Sequence, residues 1–86
     1  MNTFKLIVSS PDGDFYNDRA EAIYLRAHEG DLAVMAGHVP FMTSVKPCVC
    51  RIVDAEGNER SADISGGLLT VSSESAILLS SSFTWK

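Results

Sequence analysis

The chain has 86 residues, of which 45% are apolar and 21% are charged, so we expect one small domain with a single core, neither disordered nor embedded in a membrane. The net charge of −4 comes from acids spread along the whole sequence, with no basic cluster to oppose them. Because nucleic-acid binding depends on basic side chains that contact phosphates, nucleic acid is disfavoured as a partner.

The first third of the chain alternates apolar and polar residues with a period of two. Residues 4–8 and 23–27 therefore predict two strands, each with one face in a core. Between them, residues 11–14 (PDGD) have turn chemistry, because proline presets the first turn residue and glycine accepts a positive φ. We expect this turn to lead, as a hairpin, into a strand at Phe15 and Tyr16.

The segment EGDLAVMAGHVPFMTSVKP, residues 29–47, consists of strand-like runs separated by glycines and prolines. Its one histidine is His38, and no nucleophile stands at a spacing that acyl or phosphoryl transfer needs. We interpret the segment as a shaped surface and not as a catalytic site.

Four further strands are expected in the second half, separated by turns and glycines: residues 48–54, 59–64, 68–71 and 76–79. No window of ten or more residues has a helical period free of glycine, proline or β-branched interruption, so helix content should be near zero. About nine or ten short strands predict an all-β sandwich with mostly antiparallel pairing, because two half-apolar sheets bury their apolar faces against each other.

The cysteines, Cys48 and Cys50, lie two apart in a predicted strand, so their side chains share a face about 7 Å apart. A disulfide between them would distort the backbone severely, and zinc needs more ligands than are near. We expect two reduced cysteines that pack as small apolar residues, which suits a cytosolic setting, and neither a metal nor another cofactor.

No membrane-targeting segment is expected. The apolar stretch at residues 4–8 is too short for a signal peptide and precedes no cleavage pattern. The longest apolar run, residues 32–36, is far shorter than the roughly 20 residues that span a bilayer. Any association with a membrane should therefore go through another protein.

Six motifs follow one another over essentially the whole chain: EGDLAV at residues 29–34, GHVPFMT at 37–43, KP at 46–47, RI at 51–52, SGGLLTV at 65–71 and ILL at 77–79. In this order and spacing they resemble the epsilon subunit of F-type ATP synthase. The chain departs from the usual pattern of that family at four small residues, namely Ala33, Ala36, Cys48 and Ser80, where glycine, proline, glycine and alanine are common. The family usually continues into a pair of α-helices, so the resemblance implies that residues 1–86 are its N-terminal β-sandwich domain without the C-terminal helical hairpin.

The resemblance implies a non-catalytic rotor subunit of the central stalk that couples c-ring rotation through gamma to ATP synthesis in the catalytic head. It implies two contact surfaces: a gamma-subunit interface at His38, Val39, Pro40, Met42 and Thr43, and a c-ring-facing loop at Glu29, Gly30 and Asp31. The isolated domain is expected to be a monomer. In a bacterium the complex would hold it peripherally at the cytoplasmic face of the plasma membrane.

Several of these residues also have a simpler interpretation. His38 can be a turn histidine satisfied by the backbone, and Glu29 and Asp31 can be solvated turn acids. Gly66 and Gly67 are expected to mark a bulge or a close backbone approach, because no lysine follows them as in a phosphate loop.

The remaining sequence features concern a candidate calcium loop, outward apolar residues and two alternative functions. The turn at residues 12–14 lacks the remaining oxygen ligands of a calcium loop. Outward apolar side chains matter more for docking, and Ile7, Tyr24 and Val49 are the candidates. Two other functions stay open: a stand-alone sandwich that binds a protein or a ligand, and a small hydrolase that pairs a serine with Lys46 or His38.

Overall fold

The computed structural model describes residues 2–86, which fold into nine strands joined by short turns. The strands are β1 (Phe4–Ser10), β2 (Gly13–Ala27), β3 (Gly30–Met35), β4 (Phe41–Val45), β5 (Cys48–Asp54), β6 (Glu59–Ile64), β7 (Gly67–Val71), β8 (Ser75–Ser80) and β9 (Phe83–Trp85). Between residues 2 and 86 there is no helix, and therefore none that could cross a bilayer.

The strands form a sandwich of two layers that share β2. The first part of β2 pairs with β1, and after a register shift between Ala20 and Ala22 the second part pairs with β3 and β5. One layer, which we call the β8 layer, contains the first part of β2, β1, β8, β7 and β4. The other, the β5 layer, contains β3, the second part of β2, β5, β6 and β9.

The prediction of an all-β sandwich with mostly antiparallel pairing is confirmed. Among residues 2–86, the one parallel pair joins β1 to β8. About nine or ten strands were expected and nine are found, and residues 13–27 form one long strand where a hairpin strand and a separate strand had been predicted. A β-bulge lets that strand bend and change layers without a loop.

Inward-facing residues of both layers form one core cluster, as the alternation predicted. Phe4, Leu6 and Val8 of β1 are at most 1% exposed, while Lys5 and Ile7 between them are half-buried. The core cluster consists of apolar side chains and includes at least one residue from each of the nine strands. The two layers are therefore held by a single packed interior.

Both cysteines are free thiols, and they lie on the core side of β5. Cys50 is fully buried and Cys48 is half-buried. Burial, with a smaller contribution from Cys48, raises the pKa of the Cys50 thiol to about 11. The Cys50 thiol therefore stays protonated at neutral pH and packs as a small apolar side chain.

Gly66 and Gly67 mark a close approach of three backbone segments, as predicted. A Cβ on Gly66 would lie 2.6 Å from the carbonyl oxygen of Val45, and one on Gly67 would overlap the carbonyl oxygen of Leu79. The buried hydroxyl of Ser80 donates to the carbonyl of Gly66 at 2.6 Å. Only a residue without a side chain lets β7 begin this close to β8.

Aromatic side chains close one open side between the layers. The rings of Phe15 and Phe83 stack with centroids 5.0 Å apart, and Trp85 meets Phe83 edge-on at 4.8 Å. The guanidinium of Arg60 lies 3.7 Å from the centre of the Trp85 ring. Residues of the last strand are thus part of the packing that holds the sandwich together.

Candidate functional site

The outer side of the β8 layer carries a row of exposed apolar side chains. They come from three neighbouring strands and are 64%, 38%, 37% and 49% exposed: Met42 on β4, Leu68 on β7, and Ile77 and Leu79 on β8. Their positions follow from the pleat, because each alternates along its strand with a residue that points into the core. We call these four side chains the apolar face.

Strand register brings the apolar face together. Met42 lies opposite Thr70, which lies opposite Ile77, and Ile77 in turn lies beside Ile7 of β1. In a second row, Leu68 and Leu79 are directly opposed. Directly opposed side chains in a sheet are in contact, so the four apolar side chains form a continuous surface.

The apolar face lacks acidic side chains. On the outward side of β1, β4, β7 and β8, all within the described residues 2–86, the one charged residue is Lys5. An acid borders this side at Asp14 of β2, whose carboxylate accepts a hydrogen bond from Ser9 of β1. The chain as a whole carries 11 acids and 7 basic residues, so the scarcity of charged side chains is specific to this side of the sandwich. The centres of protein interfaces are depleted in charge and rich in apolar side chains in the same way.

The outer side of the β5 layer, which we call the charged face, is built differently. Arg26 pairs with Asp31 at 3.1 Å and Arg51 with Glu59 at 3.6 Å, and all four side chains are at least 47% exposed. The Arg51 guanidinium also stacks over the Tyr24 ring at 4.8 Å. The charges on this face are already neutralised within the chain.

A shallow groove of about 560 Å³ crosses the charged face between Tyr24 and Val49. Its charged groups are the two arginines and Asp31, which are engaged in the ion pairs, and its other polar side chains are Tyr24 and Cys48. A ligand would have to displace one of those pairs, and no convergent set of free polar groups marks this groove as a small-molecule site within residues 2–86.

His38 is bonded within the chain. Its Nδ1 meets the carbonyl of Met35 and its Nε2 lies 2.6 Å from the carbonyl of Ser72, while the ring packs edge-on against Phe4 with centroids 5.5 Å apart. The ring thus ties the β3–β4 connection to the β7–β8 turn. This geometry agrees with the interpretation of His38 as a turn histidine satisfied by the backbone.

The other residues of the predicted gamma interface are dispersed. Val39 is 75% exposed and Pro40 is exposed, both in the β3–β4 connection. Met42 belongs to the apolar face, whereas Thr43 points to the opposite side of β4 and is half-buried. The structure therefore brings one of the five predicted residues, Met42, onto the apolar face, and the contact with gamma stays a prediction.

Glu29, Gly30 and Asp31 lie at the other end of the sandwich. Glu29 lies in the β2–β3 turn, Gly30 and Asp31 begin β3, and all three are exposed. The six residues of β3 separate this turn from the β3–β4 connection that contains His38, a distance of about 20 Å. A groove of about 620 Å³ between β3 and β4 runs from this turn to Met42 and Thr43. The contact with the c ring also stays a prediction.

The outward apolar residues were predicted only in part. Val49 is 46% exposed, but Ile7 and Tyr24 are half-buried, because neighbouring strands and the Arg51 side chain cover them. Leu68, Ile77 and Leu79 were missed. The signal for them is present in the sequence, because Leu68-Leu69 and Ile77-Leu78-Leu79 are apolar on both faces of their strands.

The geometry gives no support to the hydrolase alternative. Both nitrogens of His38 face backbone carbonyls and not a serine hydroxyl, and the Ser72 hydroxyl is bonded to Ser75 at 2.7 Å. Among residues 2–86, no group of three or more His, Cys, Asp or Glu could hold a metal ion.

Known proteins resemble the chain over nearly its whole length. The family model for the ATP synthase delta/epsilon chain β-sandwich domain matches residues 3–86. The ATP synthase epsilon chain of Caldicellulosiruptor saccharolyticus is 36% identical over 85 residues, which are 99% of this chain and 61% of that protein. The sodium-ion-specific ATP synthase epsilon chain of Acetobacterium woodii is 31% identical over 83 residues, 96% of this chain and 62% of that protein. The chain thus spans about three fifths of the length of these relatives.

Two solved structures share the fold. A chain of the Euglena gracilis mitochondrial ATP synthase, solved with OSCP, F1 and the c-ring, superposes with a TM-score of 0.90 at 21% identity, over 96% of this chain and 53% of that one. A chain of the central stalk and c-ring structure of the Tetrahymena thermophila mitochondrial ATP synthase gives 0.78 at 10% identity, over 92% and 63%. The family match confirms the resemblance seen in the sequence motifs: this chain belongs to the family of ATP synthase delta/epsilon chain β-sandwich domains, which are non-catalytic parts of that enzyme.

Proposed function

We propose that this chain is the β-sandwich of a central-stalk subunit of an F1Fo ATP synthase, and that it couples c-ring rotation through gamma to ATP synthesis in the catalytic head. The observation that carries the proposal is the apolar face. In a chain of this family, four exposed apolar side chains with no acid among them form a surface suited to a partner that stays bound.

Gamma is the partner we assign to the apolar face. Docking there would bury Met42, Leu68, Ile77 and Leu79 together, at about 25 cal/mol for each Å² of apolar surface removed from water. The predicted interface residues His38, Val39, Pro40 and Thr43 lie along or beside β4 and would form the margin of the same contact.

The c ring is the partner we assign to the β2–β3 turn. Glu29 is an exposed acid in the turn, and Asp31 is an exposed acid at the start of β3, where it pairs with Arg26. Gly30 between them has a φ of +136°, which favours glycine. An exposed polar turn suits a contact with the polar loops of a membrane ring, because such a contact can slide or reform without exposing apolar surface.

Transmission of torque requires a rigid domain between the contact with gamma and the contact with the c ring. Both layers of the sandwich share one close-packed core, and β2 continues from one layer into the other. A displacement of the turn at Glu29 is therefore passed to the β8 layer with little internal yielding. No bond of the nucleotide is made or broken by this chain in the proposed role.

The proposed location follows from the partners. The domain would be held at the cytoplasmic face of a bacterial plasma membrane as a peripheral part of the complex. It would touch the membrane only through the c ring, and by itself it would be a monomer.

The apolar face can be tested with two substitutions of equal exposure. Leu79 on the apolar face is 49% exposed and Val49 on the charged face is 46% exposed. We expect Leu79→Glu to weaken binding of the cognate gamma subunit about 10-fold to 100-fold, because a carboxylate would be dehydrated in the contact. Val49→Glu should leave binding within about twofold. Binding is measured by calorimetry with purified gamma.

Thermal unfolding of both variants controls for the fold, and we expect similar midpoints because both positions are outward. Equal weakening by the two substitutions would contradict the assignment of gamma to the apolar face. A wild-type chain that binds no gamma at all would contradict the proposed function and favour a stand-alone binding module.

A further inference from the structure

The most exposed member of the apolar face is also its one readily oxidised side chain. Met42 is 64% exposed, and its thioether stands on a flexible side chain at the outer side of β4. The other members, Leu68, Ile77 and Leu79, are aliphatic and do not react with peroxides. The chemistry of the apolar face therefore depends on the oxidation state of a single sulfur.

We propose that Met42 is a redox-sensitive site: oxidation of its thioether to the sulfoxide by a hydroperoxide weakens docking of the apolar face on gamma. This inference rests on the proposed function and adds a condition under which docking fails. It concerns the chain before assembly, because a docked partner would cover the sulfur.

The oxidation needs only the Met42 thioether and the hydroperoxide, and no other group of the protein takes part. A lone pair of the Met42 sulfur attacks one peroxide oxygen, the S–O bond forms and the O–O bond breaks. The leaving oxygen takes the proton of the transferred oxygen and departs as water when the oxidant is hydrogen peroxide, or as an alcohol when it is an organic hydroperoxide. The sulfur loses two electrons and the hydroperoxide gains them, and methionine sulfoxide reductases can reverse the change.

The sulfoxide weakens docking because its oxygen is a strong hydrogen-bond acceptor. Water satisfies that oxygen in the free chain, but docking against an apolar surface would remove the water. In the free chain the hydroxyl of Thr70, opposite Met42, is the one polar side-chain group in the row of Met42 and Ile77. We expect affinity for gamma to fall about tenfold, which corresponds to about 1.4 kcal/mol.

The chain contains its own control. Met35 on β3 is 48% exposed and lies on the charged face, opposite Ala22 of β2. Its thioether is open to the same oxidant, but it is on the other side of the sandwich from the apolar face. Oxidation of Met35 should therefore leave binding of gamma unchanged.

The experiment uses hydrogen peroxide as the oxidant and the cognate gamma subunit as the partner. Wild-type chain, Met42→Leu and Met35→Leu are treated alike, sulfoxide at each methionine is quantified by peptide mass spectrometry, and the affinity for gamma is measured before and after. Wild type and Met35→Leu should weaken about tenfold after oxidation, and Met42→Leu should not change. Met42→Leu keeps Met1 and Met35, so it also reports any effect of their oxidation.

A second variant tests the same idea without oxidant. Met42→Gln places an amide of similar length at the position, and we expect weaker binding of gamma with an unchanged unfolding midpoint. Full affinity of wild-type chain in which Met42 is fully oxidised would overturn the inference, as would equal loss in Met42→Leu. Absence of gamma binding by the reduced wild type would overturn the proposed function, and the inference with it.

Discussion

The two outer faces of the sandwich have the same pleat, but they differ both in exposed apolar side chains and in charge. Four large apolar side chains are exposed on the apolar face, and two, Met35 and Val49, on the charged face. The charged face holds its arginines and acids in ion pairs of 3.1 and 3.6 Å, with Tyr24 beneath one guanidinium. The apolar face has aliphatic and thioether side chains with nothing to cover them. The difference teaches that the distribution of charge, and not apolar exposure alone, distinguishes a docking surface from a solvated one.

The opposite charges within each ion pair of the charged face neutralise each other, so that face needs no partner chain in water. Exposed pairs of this kind contribute at most about 1 kcal/mol each to stability, but they set the character of the surface. The apolar face has no such internal partner. Its four side chains can leave water only against another chain.

The largest expected effect on stability comes from disrupting the close approach of β7 and β8, the two strands that carry most of the apolar face. Gly67→Ala would push β7 away from β8, because the new Cβ overlaps the carbonyl oxygen of Leu79, and these strands carry three of the four side chains of the apolar face. We expect a loss of about 3–5 kcal/mol in the free energy of unfolding. Gly57→Ala, with a φ of +86° but only Glu21 near at 3.9 Å, should cost about 1–2 kcal/mol.

Urea unfolding of the two glycine variants measures the difference. Equal losses in the free energy of unfolding would show that β7 and β8 can move apart to accept a side chain. The register that aligns Leu68 with Leu79 would then not depend on Gly67.

A pH-dependent effect of intermediate size is expected under the charged face. The pKa of Cys50 is raised from 9.0 to about 11 in the folded chain, mainly by burial. Below pH 9 the thiol is protonated in both states and has no effect. As the pH rises from 9 to 11, the unfolded thiol ionises first, so the free energy of unfolding should fall by up to about 2–3 kcal/mol.

Unfolding of wild type and Cys50→Ala at several values of pH isolates this contribution. The variant should be less stable at pH 7 because of the cavity, yet its stability should fall less steeply above pH 9. Parallel pH curves would mean that Cys50 is hydrated, and that the interior beneath the charged face is looser than its burial indicates.

The smallest expected effect concerns the end of the sandwich near the apolar face. His38→Ala removes contacts with the carbonyls of Met35 and Ser72, and we expect a loss of about 1–2 kcal/mol in the free energy of unfolding. Val39→Ser, beside it but 75% exposed, should change stability by less than about 0.5 kcal/mol. Thermal unfolding compares the two.

The same two variants also distinguish an effect on the stability of the fold from an effect on the binding of gamma. If the β3–β4 connection touches gamma, Val39→Ser should weaken binding without loss of stability. If His38→Ala is as stable as wild type, the histidine does not hold the connection to the β7–β8 turn.

The strands were predictable where one face is polar. Residues 23–27 alternate cleanly, with Tyr24 and Arg26 between buried apolar residues, so the inward face of this strand followed from the period of two. The bend of β2 was not predictable, because the register shift near Ala20 depends on pairing with strands from both layers. Two separate strands, at Phe15 and Tyr16 and at residues 23–27, were therefore expected where the chain continues as one strand.

The apolar face was the part of the site that sequence reasoning missed. The motif at residues 37–43 was read as one surface, but the pleat of β4 sends Met42 outward and Thr43 toward the interior side. The strands at residues 67–71 and 75–80 are apolar on both sides, a pattern typical of strands buried on both faces. Which side is open to a partner depends on the layer order, and that is set by long-range pairing.

The parallel pairing of β1 with β8 ties together residues about seventy positions apart, and it sets Ile7 beside Ile77, a member of the apolar face. During translation, β1 lacks this partner until residues 75–79 have left the ribosome. The outer side that carries the apolar face is therefore completed only after the local hairpins of residues 13–71 can form, so its maturation depends on long-range pairing and not on a nearby turn.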